Sequence, residues 1–198
     1  MLRVGLTGGI ACGKSLIGGL FREKGIPVVD DDAAARDVVS AGSEGLAAVV
    51  REFGEEILAA DGSLDRPALG RIVFADDTLR RRLMEITHPR IGSLLAERFR
   101  EAEESGAPMV VYESALLFEN GNHEAWRPII VVRTDHETQV ARIASRNGLS
   151  RREAEDRIRS QMSVDEKARR GDLVIENSGS TADATATFER VYATLLEA

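Results

Sequence analysis

Five short apolar runs and a series of helical stripes alternate along this chain. Leu2-Arg3-Val4-Gly5-Leu6 reads as a buried strand. A glycine-rich stretch follows, and then Leu16, Ile17, Leu20 and Phe21 recur at helical spacing. That spacing predicts a helix from about Lys14 to Lys24, ended by Gly25. Further strands are predicted at Ile26-Pro27-Val28-Val29, Met109-Val110-Val111-Tyr112, Ile129-Ile130-Val131-Val132 and Leu173-Val174-Ile175. These runs are continuously apolar and do not alternate, as expected of parallel strands covered on both faces. Helices are predicted between and after them at 139–147, ended by Gly148, and at 181–196, with Phe188, Val191, Tyr192 and Leu195 on one face. Ser150-Arg151-Arg152-Glu153 is a capping box that opens another helix. Strands alternating with helices predict an α/β fold, a doubly wound parallel sheet.

The second and third strands are too far apart for an ordinary crossover. No strand is evident between Asp32 and Ala107. Leu46, Val49, Val50 and Phe53 form one stripe, and Asp61-Gly62 is a turn signal. Asp65 is placed to cap a helix carrying Leu69, Ile72 and Val73, and Asp76 or Asp77 to cap one carrying Leu79, Leu83 and Ile86. His88-Pro89 is expected to interrupt that helix, with the spacing resuming at Ile91, Leu94, Leu95 and Phe99. The region reads as an inserted helical subdomain. The expected layout is a core of residues 1–32, 107–141 and 171–198, an acceptor-binding insert at 33–106, and a lid at 142–170.

Chemistry concentrates in the loop after the first strand. Gly8-Gly9-Ile10-Ala11-Cys12-Gly13-Lys14-Ser15 fits G-x-x-x-x-G-K-[ST] at every fixed position, between a strand and a helix. The glycines let backbone N–H groups curl around phosphate oxygens, and the helix N-terminus adds partial positive charge. Lys14 can reach the β- and γ-phosphates, and Ser15 can hold Mg²⁺. The residues expected at the nucleotide are therefore Gly9, Ile10, Ala11, Cys12, Gly13, Lys14, Ser15 and Leu16. Cys12 lies among amides, a helix N-terminus and Lys14, all of which favour a thiolate; alkylation is expected to inactivate and ATP to protect.

Acids stand at strand ends, where ligands of open α/β sheets gather. The second strand runs into Asp30-Asp31-Asp32 and the third into Glu113. Among the former, one acid is expected to cap the following helix and one to do chemistry. Glu113 reads equally as a Walker-B-like acid or as a structural carboxylate. Between Arg142 and Arg170 lie eight arginines and Lys167, giving this span a local charge of +4 in a chain of net −7. Most are expected to form i,i+4 ion pairs on a solvated helix. Arg142 and Arg146, one turn apart, are the candidates for a lid closing over triphosphate.

Bulk properties add exclusions. The net charge of −7 argues against general nucleic-acid binding. No apolar run approaches the roughly 20 residues of a membrane span. The N-terminus enters a strand directly, so no signal peptide is expected. One cysteine excludes an internal disulfide and suits a cytoplasmic location. No obligate protein partner is evident.

These residues resemble the dephospho-CoA kinase family. The resemblance rests on Leu6-Thr7-Gly8-Gly9-Ile10 leading into Gly13-Lys14-Ser15, on Val29-Asp30-Asp31-Asp32 with Ala35-Arg36, and on Asp61 to Arg66. It continues through His88-Pro89, Leu116-Leu117-Phe118-Glu119, Gln139 with Arg142 and Arg146, Arg157 with Gln161, and Asp172 to Gly179 including Asn177. It implies an adenylate-kinase-like P-loop fold with a helical CoA-binding subdomain and a lid. The implied reaction passes the ATP γ-phosphate to the 3′-hydroxyl of dephospho-CoA, with Mg²⁺. Asp32 falls where the family has its catalytic base, with Lys14 and Arg142 as further catalytic residues and Arg146 at the nucleotide. Thr7, Asp32, His88 and Leu117 would meet the acceptor. The chain departs from the pattern at Ala11-Cys12, where Gly-Ser is commoner, at Leu16, where Thr is common, and at Ala115, which replaces a proline. The residues alone also admit a kinase for a nucleoside, a nucleotide or shikimate. A regulatory NTPase switch is a further alternative, although the chain has no Asn-Lys-x-Asp motif.

Overall fold

Strand β1 (Leu2–Gly8) is the centre of a five-stranded sheet. The structure, a computed structural model, describes residues 1–197; Ala198, the last residue of the expected core segment 171–198, lies outside the described residues. The other strands are β2 (Val28–Asp30), β3 (Met109–Glu113), β4 (Ile129–Arg133) and β5 (Leu173–Glu176). They lie in the order β2-β3-β1-β4-β5, and every pairing is parallel. Leu6 is in register with Glu113, and Gly8 with Val132. Val4, Leu6, Val111, Ile129, Ile130, Val131 and Val132 are fully buried or nearly so, which is why these strands read as continuous apolar runs.

The chain forms two compact units. One comprises Met1–Asp30 and the chain from Ala102 onward; the other is Asp31–Glu101. In the first, α1 (Lys14–Glu23) turns its buried Ile17 and Phe21 inward. Phe21 meets Phe188 of α9 (Thr181–Leu196) edge to face, with ring centroids 4.9 Å apart. Helix α9 opens on a capping box of Ser180 and Asp183. Between β4 and β5 lie α6 (His136–Asn147), α7 (Arg151–Arg159) and α8 (Val164–Arg170). The expected capping box at Ser150 and Glu153 opens α7, and Gly148 ends α6 in the left-handed conformation. Val140, Ile143 and Ala154 form an apolar cluster against Ile10, Ala11, Leu149 and Ile158, so α6 and α7 pack on the glycine-rich loop.

The second unit is all helical apart from an isolated bridge between Leu58 and Leu64. It holds α2 (Asp31–Asp37), α3 (Glu44–Phe53), α4 (Arg66–Ala75) and the start of α5 (Asp77–Glu104). Ser43 caps α3, and Asp65 caps α4. Its core is Val38, Val39, Val49, Phe53, Ile57, Leu69 and Val73.

Helix α5 corrects one expectation. Pro89 does not interrupt it; the helix runs unbroken from Asp77 to Glu104. Leu79, Leu83 and Ile86 before the proline and Ile91 and Leu94 after it pack on the same core, so burial outweighs the local penalty. Side chains also supply donors around the gap. The Thr87 hydroxyl donates to the Leu83 carbonyl at 2.8 Å, and Arg90 Nη1 to the Ile86 carbonyl at 2.6 Å.

Candidate phosphate-binding site

β1 ends in the loop Gly9–Gly13, and α1 starts at Lys14, so the loop sits at the carboxyl end of the central strand. Gly13 has φ of 89° and Ala11 has φ of 60°. Both lie in the left-handed region, which costs a glycine nothing and an alanine about 1 kcal/mol or more. Gly13 is also needed for space, because a Cβ there would stand 2.1 Å from Asn177 Nδ2.

Behind the loop, Lys14 Nζ pairs with Glu113 Oε1 at 3.0 Å. Glu113 is fully buried at the end of β3, and Arg22 of α1 approaches its Oε2 at 3.7 Å. Oε2 has no hydrogen-bond partner. A buried carboxylate needs cations near it, and Lys14 and Arg22 supply them.

The loop's main chain is gripped from three directions. Gln139 Nε2 of α6 donates to the Ile10 carbonyl at 2.8 Å. Arg142 Nη1 donates to the Ala11 carbonyl at 3.3 Å, and its Nη2 to the Asn177 carbonyl at 2.9 Å. Asn177 Nδ2 donates to the Cys12 carbonyl at 2.8 Å. Gln161, after α7, accepts from the Ile10 N–H at 3.2 Å. The sequence marks Gln139, Gln161 and Asn177 only through the family resemblance. One further signal was present: Gln139 is a polar residue beside Val140 and Ile143 on a buried helix face. The contacts themselves span 129 to 165 residues and have no local signature.

The other expected residues fall as follows. Ser15 is exposed in the first turn of α1, and Leu16 is half-buried. Arg146 is exposed and donates through Nε to its neighbour Asn147. Thr7 and Leu117 are fully buried. Thr7 donates its hydroxyl to the Ala115 carbonyl at 3.4 Å, and Leu117 packs over Gly5. Both support the sheet and the loop after β3. Asp32 and His88 belong to the second unit. Asp32 is exposed in the first turn of α2, and His88 is exposed along α5.

Cys12 is a second correction. Its side chain is wholly inaccessible, and burial pushes its thiol up to about 11. Backbone hydrogen bonds from Gly9 and Thr134 and the charges of Arg142 and Lys167 pull the other way and do not offset it. Local amides and cations predict a thiolate; desolvation wins.

In the arginine-rich span several side chains do form local pairs. Arg151 bonds Glu137 and Glu155, Arg159 pairs with Asp156, and Arg169 with Glu166. Arg170 lies over the Phe118 ring, 4.7 Å from its centroid. The fully buried Lys167 reaches Glu119 at 2.9 Å, and Glu119 also accepts from the Met162 N–H at 3.0 Å.

Among the described residues no cluster of three or more His, Cys, Asp or Glu side chains could hold a metal ion. The hard oxygen donors at the loop, the Ser15 hydroxyl and the buried Glu113 carboxylate, fit an ion that takes most of its ligands from phosphate and water, the habit of Mg²⁺. No helix among the described residues is long and apolar enough to cross a membrane.

Comparison with known proteins gives concordant results. The family model described as dephospho-CoA kinase matches residues 2–183. A dephospho-CoA kinase of Geobacter sulfurreducens is 45% identical over 190 residues, 96% of each chain. Among solved structures, TT1252 from Thermus thermophilus is 37% identical with a TM-score of 0.80, covering 98% of this chain and 97% of its own. The dephospho-CoA kinase of Campylobacter jejuni is 28% identical with a TM-score of 0.70, covering 97% and 96%.

Proposed function

The chain belongs to the dephospho-CoA kinase family, and from that membership we propose that it transfers the γ-phosphoryl group of ATP to the 3′-hydroxyl of dephospho-CoA, giving coenzyme A and ADP. One observation carries the reading: the family match runs through nearly the whole chain and includes a phosphate loop at the end of the central strand, with Lys14 at its mouth. The loop amides of Gly9 to Ser15 and the N-terminus of α1 hold the phosphates. Lys14, held in place by Glu113 with Arg22 beside the same carboxylate, presents its ammonium to the β- and γ-phosphate oxygens. Ser15 would hold Mg²⁺ from the protein side, and the ion would supply charge neutralisation on the phosphates.

Asp32 orients the acceptor hydroxyl and takes its proton. A ribose hydroxyl is a weak nucleophile, and an ionised carboxylate within hydrogen-bond reach directs its lone pair in line with the leaving ADP. Arg142 places positive charge beside the loop, and Arg146, exposed one turn further along α6, is free to swing onto the triphosphate. His88, exposed on its helix, contributes a polar contact to the acceptor. The setting is the cytoplasm, with ATP and dephospho-CoA as partners.

The test is an acceptor panel. The purified protein is incubated with Mg·ATP and dephospho-CoA, adenosine, AMP or shikimate, ADP is followed, and the product is identified by mass and phosphate position. Coenzyme A from dephospho-CoA alone is expected. ADP formed with a different acceptor would overturn the assignment within the kinase scaffold, and ADP formed without any acceptor would make the chain an NTPase.

A further inference from the structure

We infer that Gln139, Gln161 and Asn177 are positioning residues for the nucleotide: their side-chain amides fix the peptide planes of the phosphate loop, Gln161 by anchoring the Ile10 N–H and the other two by drawing carbonyls back so that the N–H groups of Ala11 and Gly13 face the triphosphate. The inference rests on the kinase reading above and adds to it the device that shapes the loop.

Three successive carbonyls, those of Ile10, Ala11 and Cys12, are each taken by a side-chain donor, from Gln139, Arg142 and Asn177 respectively. In a trans peptide the C=O of one residue and the N–H of the next point in opposite directions. Drawing these carbonyls outward turns the N–H groups of Ala11 and Gly13 to the opposite side, while the Cys12 N–H closes a turn onto the Gly9 carbonyl at 3.2 Å. The same grip holds Ala11 at φ of 60°, a conformation that persists in an alanine only where its surroundings impose it.

The gripping groups are themselves fixed. Gln139 and Asn177 are buried. The Asn177 N–H donates to the Arg133 carbonyl at 2.7 Å, and its carbonyl accepts from Thr134 Oγ1 at 3.2 Å and from Arg142. A residue whose main chain is pinned this way carries the position of the sheet edge to the loop through its side-chain amide. The two glutamines have opposite polarity. Gln139 faces a carbonyl and must present its NH₂; Gln161 faces an N–H and must present its oxygen.

That opposition supplies the test. Gln139→Glu and Gln161→Glu add the same charge beside the same loop, but only the first sets an acceptor against an acceptor. Calorimetric titration with Mg·ATP, which needs no acceptor substrate, should show Gln139→Glu losing roughly tenfold more affinity than Gln161→Glu. The uncharged Gln139→Met and the independent Asn177→Ala should each weaken Mg·ATP binding by about tenfold, with KM for ATP rising in step and KM for dephospho-CoA nearly constant. Circular dichroism and thermal melting establish that each variant is folded. Equal losses in the two glutamate variants, or wild-type Mg·ATP affinity in folded Gln139→Met and Asn177→Ala, would overturn the inference. Failure of the kinase reading looks different: the wild-type protein would bind Mg·ATP and make no coenzyme A.

Discussion

Gly18 lies against Glu113: a Cβ added to Gly18 would stand 2.3 Å from the buried Oε2. Helix α1 therefore carries a poor helix former where the carboxylate behind Lys14 needs room. Its neighbour Gly19 has nothing within 4 Å of the corresponding position. The two glycines should respond oppositely to the same change. Gly19→Ala should gain up to about 1 kcal/mol from helix propensity. Gly18→Ala should lose on the order of 1–3 kcal/mol by crowding the carboxylate, and should also weaken ATP binding because Glu113 holds Lys14. Denaturant melts of the two variants and a nucleotide titration read both effects. A stabilised Gly18→Ala with normal ATP affinity would remove the pairing from the mechanism.

Asp32 is the residue whose loss should strike turnover alone. Asp32→Asn keeps the shape and hydrogen-bonding capacity at the start of α2 but cannot accept a proton. We expect kcat to fall by roughly 10²- to 10⁴-fold, the usual worth of a general base. Mg·ATP affinity should stay nearly intact. A variant with unchanged turnover would show that the proton goes elsewhere.

The sheet was legible because burial on both faces leaves a strong mark: β3 and β4 open on the short apolar runs Met109-Val110-Val111-Tyr112 and Ile129-Ile130-Val131-Val132. The phosphate loop was legible because its chemistry requires fixed residues at fixed spacing. Capping boxes at Ser150 and Ser180 are likewise local. What failed was whatever depends on distant neighbours. Pro89 looked like a break because its penalty is local, whereas the packing that carries α5 through it comes from other helices. Cys12 looked reactive because nearby amides and cations are visible in the sequence and desolvation is not. The grip on the phosphate loop was invisible for the same reason: Asn177 is 165 residues from Cys12.

Burial of Cys12 gives a reactivity prediction and a pH prediction. Alkylation of the native protein at neutral pH should be slow, becoming fast only when denaturant exposes the thiol, in contrast to the sequence-based expectation. The thiol is held protonated up to about 11 in the folded state, against 9.0 for an ordinary thiol. In that window the unfolded chain releases a proton that the folded chain keeps, so stability falls as pH rises. The contribution is fully present below pH 9.0 and is lost as the pH rises through about 11. Its size is on the order of 2–3 kcal/mol. Cys12→Ala should flatten that part of the stability profile, measured by denaturant melts at a series of alkaline pH values; an unchanged slope would show that other groups cause it.

Lys167 is a fully buried lysine whose ammonium bonds the Ala115 carbonyl and pairs with Glu119. It ties α8 to the loop after β3. Removing one partner of a buried pair costs about 3–5 kcal/mol when the other is left dry. Glu119 is 23% exposed and can be rehydrated, and it still accepts from the Met162 N–H. Lys167→Met, which keeps the aliphatic stem, should therefore cost about 2 kcal/mol, or a Tm lower by roughly 4–8 °C for a chain of this size. Glu119→Gln should cost less, because the amide oxygen can still accept from Lys167. Combining the two should cost less than their sum by roughly 1 kcal/mol, since the second change removes a group already deprived of its partner. Strict additivity in thermal melts would mean that the two side chains do not interact in solution.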